Sequence, residues 1–156
     1  MKKKVILLLL SVLIIAACFI PVIQQKNILI KAPFLKVLVQ LSKAQNWKNW
    51  RPDIKRSFLS DSGNFSITKN DSATFRLKFA DKLLNVHLEG SEFAINENWS
   101  GKTLNYSYFA TPVSDKFLNK TTITVTKQVN LFHYLLQKND SKTFEDTHIY
   151  DLKNYM

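Results

Sequence analysis

The 156-residue sequence predicts an α+β domain behind an apolar N-terminal segment, and three observations carry that reading. Between Thr74 and Lys127 apolar and polar residues alternate with period two, the pattern of antiparallel strands with one wet face. On both sides of that block the apolar residues return to helical spacing. Apolar residues make up 46% of the chain and aromatics 12%, enough for a packed core and too much for disorder. A sheet with one wet face needs helices over the other. The expected organisation is a leader over residues 1–23 and one domain over 24–156.

The leader opens with Lys2, Lys3 and Lys4 and continues uncharged over residues 5–23. As helix, that run would measure roughly 28 Å against a hydrocarbon core of about 30 Å, so a transmembrane helix is expected. The three lysines would stay inside, placing the domain on the outer side of the cell membrane, periplasmic or extracellular. Two other readings stay open. Ile15-Ala16-Ala17-Cys18 looks like a lipobox, which would make Cys18 a lipidated first residue, and the same segment suits a cleaved secretory signal. Phe19, Ile20, Val22 and Ile23 favour the anchor, because a lipoprotein normally carries a polar tether after its cysteine.

Residues 27–31 read as a strand, and Ala32-Pro33 closes it ahead of a helix over residues 34–45. In that helix Phe34, Val37, Leu38 and Leu41 form the apolar stripe, with Lys36, Gln40 and Lys43 on the wet side. Asn46-Trp47-Lys48-Asn49-Trp50-Arg51-Pro52 reads as an aromatic turn, with both tryptophans in the core and a polar loop after them. Five or six strands follow. Phe75, Leu77 and Phe79 share a face, as do Leu84, Val86 and Leu88, and further strands cover residues 91–99, 103–109 and 121–127. Val129, Phe132 and Leu136 then suit a short helix, and Ile149, Leu152 and Tyr155 another.

Composition excludes several classes of function. Three glycines leave no Gly-rich phosphate loop, and the lone cysteine, in the leader, leaves the domain without a disulfide or a cysteine metal cluster. His87, His133 and His148 lack ligand spacing, so no metal and no cofactor are expected. From Gln24 on there are 19 basic against 12 acidic residues, a spread-out excess. The densest patch, Lys43, Lys48, Arg51, Lys55 and Arg56, reads as a solvated helix end or a surface near anionic lipid rather than a nucleic-acid site. Glu89, Glu92 and Glu97 read as a charged, solvated hairpin face. No nucleophile motif is present, and His133 is the best of three weak candidates for a general base.

Ile28-Leu29-Ile30-Lys31-Ala32-Pro33, then Val37 and Leu41, then Asn46-Trp47-Lys48-Asn49-Trp50-Arg51-Pro52 resemble the START-like (SRPBCC) superfamily, with its opening strand, Ala-Pro and W-x-x-W-x-P turn. The resemblance covers about residues 27–156. It implies the helix-grip fold of the birch pollen allergen and the polyketide cyclases: a curved antiparallel sheet packed on a long C-terminal helix, with a cavity for an apolar ligand between them. The leader and the segment at residues 149–156 are similar to a membrane-anchored bacterial subgroup fused to a gyrase-inhibitor-like effector-binding domain. The sequence stops at that segment, so the second domain is expected to be missing, either through a shortened gene product or because the fusion never existed, and an effector-binding domain on another chain is one partner to look for.

The cavity candidates are Phe75, Leu77, Phe79, Phe93, Ile95, Tyr106, Tyr108 and His133, although an aromatic stripe on a strand is more often core than pocket wall. Cys18 is the candidate lipidation site. The expected function is a membrane-anchored, non-catalytic module that binds a small hydrophobic ligand or lipid. The alternatives are a structural or interaction domain with a filled core, or an enzyme resembling the cyclases or hydrolases of the superfamily.

Overall fold

The computed structural model describes residues 2–60, 65–69, 71, 73–113, 119–137, 144–145 and 147–156. In chain order its elements are α1 (Lys2–Phe19), β1 (Pro21–Ile30), α2 (Phe34–Ser42), α3 (Trp47–Trp50), α4 (Pro52–Leu59), β2 (Ser66–Lys69), β3 (Thr74–Phe79), β4 (Lys82–Glu89), β5 (Glu92–Trp99), β6 (Lys102–Pro112), β7 (Thr121–Asn130), α5 (Leu131–Gln137) and α6 (Ile149–Tyr155). The strands form one seven-stranded sheet in the order β1-β7-β6-β5-β4-β3-β2, antiparallel throughout.

Period-two patterning sets which side of the sheet is dry. Leu77 pairs with Leu84, Leu84 with Glu97, and Glu97 with Leu104, so one inner row crosses four strands. The next inner row runs Phe75, Val86, Ile95, Tyr106, Lys127. A one-residue slip would turn every one of these side chains to water, so burial itself holds the register. The β5–β6 hairpin turns on Ser100 and Gly101, both at positive φ (45° and 76°), a primed turn whose twist matches the flanking strands.

Helices α2, α3, α4 and α6 contribute the rest of the core. Val37 and Leu41 of α2, Trp47 and Trp50 of α3, Ile54 of α4, and Ile149 and Leu152 of α6 are all buried. Burying each large apolar side chain supplies about 1.5–3 kcal/mol before ordering costs. Trp47 does more than fill space: its indole N–H donates to the Leu41 carbonyl at 2.8 Å, and its ring meets Trp50 and Phe75 at 4.9 and 5.8 Å between centroids. Thr121 Oγ1 donates to the Ala32 carbonyl at 2.8 Å, pinning the Ala-Pro step to β7.

Several expectations need correction. The uncharged run over residues 5–23 is not one helix: α1 ends at Phe19 and β1 begins at Pro21. Proline has no N–H to donate and pushes the residue before it out of helical geometry, and the register puts Pro21 opposite Asn130 in the sheet. The uncharged part of α1 is therefore roughly 22 Å long, and among the described residues no helix is long and apolar enough to cross a membrane. The amphipathic helix stops at Ser42 and gives way to a 3-10 turn, Ala44–Asn46. The aromatic turn is itself helical and leads into α4, with Pro52 at its first turn, while residues 61–64 of the expected polar loop lie outside the described residues. The C-terminal helix is seven residues rather than the long helix the resemblance implies.

Candidate functional site

Seven of the cavity candidates come together on the inner face of the sheet. Leu77, Phe79, Phe93, Ile95, Tyr106 and Tyr108 are closed off from solvent, and Phe75 is nearly so. They pack on one another and on the helices, with Tyr106 and Tyr108 at 5.4 Å between centroids. The side chain of His133 lies outside the described residues. Cys18 is exposed, with a free thiol.

Beside these aromatics the interior holds a charge network. Arg51 is fully buried, and so, to within 1%, is Glu97. The guanidinium grips two carboxylates at once. Nε and Nη2 donate to Asp53 at 3.1 and 2.7 Å, while Nη1 and Nη2 donate to Glu97, both at 3.1 Å. Nη1 also donates to the Tyr106 hydroxyl at 3.3 Å, and that hydroxyl donates to Glu97 Oε2 at 3.3 Å. Lys82, at the network's rim, donates to Asp53 and Glu97 at 3.2 and 3.3 Å. Two cations thus meet two anions, so the desolvated charges balance.

The surroundings shift each group in a definite direction. Burial opposes the charge on Arg51, but Tyr106 and the two carboxylates outweigh it and hold the guanidinium charged. Burial pushes the Asp53 carboxyl up, and the hydrogen bonds and charge of Arg51 win, leaving it well below the usual carboxylate range. Burial drives the hydroxyls of Tyr106 and Tyr108 far above the ordinary phenol value, so both stay neutral donors. Tyr108 donates its hydroxyl proton to the Thr147 carbonyl, a hydrogen bond that ties the sheet to the segment before α6.

His148 joins the network from the start of α6, in the left-handed region at φ 58°. Its Nδ1 lies 2.8 Å from Asp151, and its Nε2 lies 3.5 Å from Asp53. Asp53, Glu97 and His148 offer ligand atoms within 4.8 Å of one another, close enough to share a cation. The same carboxylate oxygens already accept from Arg51 and Lys82, so the positive charge such a site needs is supplied by side chains.

Sequence reading missed this network, and two of its expectations are overturned. Arg51 is not part of a solvated basic patch, and Glu97 does not lie on a solvated face. The signals were present. Phe93, Ile95 and Glu97 stand two apart on one strand, and Trp47 and Arg51 stand four apart, so in each set the charged residue shares the buried face. His87, in contrast, points to water as its strand phase predicts, with Nδ1 3.1 Å from Thr74 Oγ1.

A cleft of about 370 Å³ opens where the end of α2 passes the β2–β3 edge. Ala44, Ile67 and Phe75 supply apolar wall, while Lys43, Lys69, Asp71 and Thr74 supply polar groups. Its size falls within the usual range for small-molecule sites. Phase explains how Phe75 reaches both places: its ring packs inward on Trp47, yet β3 lies next to the short edge strand β2, which leaves that end of the core thinly covered.

No family model and no curated protein matches the sequence, but solved structures match the fold. The aromatase/cyclase Zhui from Streptomyces sp. R1128 aligns with a TM-score of 0.55 at 10% identity, over 86% of this chain and 93% of that one. A START superfamily protein from Mycobacterium smegmatis aligns with a TM-score of 0.52 at 11% identity, over 83% and 92%. DynU16, from the dynemicin biosynthetic locus, aligns with a TM-score of 0.51 at 13% identity over 85% of this chain, which spans 46% of its length. A seven-stranded antiparallel sheet packed on helices, shared over most of this chain with these proteins, gives it the START-like helix-grip fold.

Proposed function

We propose that this chain is an exported, membrane-tethered module that binds a small amphipathic molecule in the cleft between α2 and the β2–β3 edge, without transforming it. The observation that carries the proposal is the cleft itself, whose apolar wall is flanked by Lys43, Lys69 and Asp71. The fold is shared with a START superfamily protein and an aromatase/cyclase, which supports a ligand without naming one. The non-catalytic reading is supported by the network: Arg51, Glu97 and Tyr106 bind one another, and a carboxylate committed to an arginine is a poor general base. Tethering is supported by Lys2 to Lys4, by the uncharged length of α1 and by Ala16-Ala17-Cys18, which together suit a secretory signal ending at a lipid acceptor.

A second reading, an interaction domain with a filled interior, is favoured by the burial of Leu77, Phe79, Phe93 and Tyr108. One experiment separates the two. The full chain extracted mildly from membranes is analysed by native mass spectrometry and titrated with a fluorescent fatty acid. Ligand binding predicts a saturable signal that Ile67→Glu weakens about tenfold, or 1.4 kcal/mol. Ile67 is exposed on an edge strand, so the change leaves the fold in place. Absence of any bound molecule and of probe binding would leave the filled-core reading. Intact mass of the same sample tests the tether: a chain lacking 17 residues and carrying added lipid is expected.

A further inference from the structure

We infer that α5, together with the α1–β1 junction, lies directly on the lipid surface and forms a second membrane contact beside the tether. The inference rests on the tethered reading and adds which face of the domain meets the bilayer.

The sequence of α5, Leu131-Phe132-His133-Tyr134-Leu135-Leu136-Gln137, contains no lysine, arginine, aspartate or glutamate. A helix on a domain in water turns its polar face outward. Here the outward positions include Phe132 and Leu135, three apart, 38% and 60% exposed. The apolar surface does not end with the helix. Phe19, Ile20 and Ile23 are 80%, 48% and 71% exposed at the junction. The Leu131 N–H donates to the Ile20 carbonyl at 2.8 Å, and Pro21 pairs with Asn130, so the first turn of α5 is fastened to the end of the leader.

That fastening identifies what covers the patch. Cys18 and Phe19 border a mostly polar groove with Thr103, Asn105, Gln128 and Asn130, and Asn130 leads into α5. Whether α1 is kept or Cys18 carries an acyl chain, the apolar phase that takes up the leader begins beside Leu131. Phe132 and Leu135, exposed on the helix that starts there, are the side chains this contact would bury. A second apolar contact adds to the hold of the lipid tether and fixes which face of the domain meets the bilayer. The proposed ligand cleft is lined by β2 and β3, at the opposite edge of the sheet from β1, and stays clear of this contact.

The test uses Phe132→Trp in the chain as purified from membranes, reconstituted into phosphatidylcholine vesicles with brominated acyl chains. Flotation of the vesicles reports the tether, and quenching of the added tryptophan reports the contact. The unsubstituted chain, whose Trp47 and Trp50 are buried and whose Trp99 is half-buried, is the baseline. The expected result is flotation with loss of most of the extra emission. Flotation without quenching overturns the second contact while tethering stands, and no flotation overturns both. An added tryptophan that stays unquenched in a chain that dimerises in detergent would assign the patch to a second copy and likewise refute the lipid contact. As a further arm, Phe132→Glu with Leu135→Glu should lower the vesicle-bound to free ratio about tenfold at unchanged circular dichroism, while Phe132→Leu retains binding.

Discussion

Replacing Arg51 by methionine should cost the domain about 3 kcal/mol, and the structure explains why the figure is not near zero. An exposed ion pair contributes roughly 0–1 kcal/mol, because water solvates the freed partner. Here the guanidinium side chain is 0% exposed and the Glu97 side chain 2% exposed, so water cannot take over. Removing one partner of such a pair typically costs about 3–5 kcal/mol. Lys82 stays 3.3 Å from Glu97 and is partly exposed, so it retains part of the compensation and the lower end of that range applies. Urea denaturation followed by Trp47 and Trp50 emission measures the loss, since both rings leave a buried site on unfolding. In a domain of this size the same change lowers Tm by about 10 °C or more. Glu97→Leu alone should cost a similar amount, and the double variant should cost about 2 kcal/mol less than the sum of the two, because it leaves no unpaired buried charge. A loss below about 1 kcal/mol for Arg51→Met, or strict additivity in the cycle, would refute the network as a coupled unit.

Acid should expose the same network. The folded carboxyl of Asp53 lies below its unfolded value, near 3.9, so the unfolded state binds more protons as pH falls. Its contribution is complete above about pH 4 to 5 and fades below that; the urea midpoint of Asp53→Asn should therefore start lower at pH 7 and fall less steeply with acid than that of the parent. Trp47→Phe deletes the donor to the Leu41 carbonyl and leaves a small cavity, and calorimetry should register about 1–3 kcal/mol of lost stability. Gly101→Val places a branched side chain at φ 76°, where steric space is open but the backbone is strained. A loss of about 1–2 kcal/mol, with ligand affinity unchanged, is expected from parallel denaturation and probe titrations.

Much of the fold is legible in the sequence, because faces are local. Period two assigns Phe75, Leu77 and Phe79 to the dry side of one strand and Leu104, Tyr106 and Tyr108 to that of another, and the sheet uses those phases. The same rule applied to residue 97 finds the buried glutamate. Against it stands the expectation that three glutamates on one hairpin sit in water, which holds for Glu89 and Glu92. The candidate site is less legible. Phe75 and Thr74 of β3 reach the cleft, but most of its described lining comes from the end of α2 and the 3-10 turn after it, from Asp71 between two strands, and from a four-residue edge strand whose side chains are all exposed and carry no alternating signal.

What the sequence determined alone is the α+β order, the buried faces and the two core tryptophans, each encoded within a few neighbouring residues. Tertiary structure decided where the partners are far apart. Residues 21–23 look like the end of an apolar helix until β7, about a hundred residues on, takes them into the sheet. Arg51 looks like a surface cation until Glu97 meets it inside. In both cases one segment's preference is outweighed by a pairing that exists only once the chain has folded: backbone hydrogen bonds along β1 in the first, and two desolvated charges that each need the other in the second.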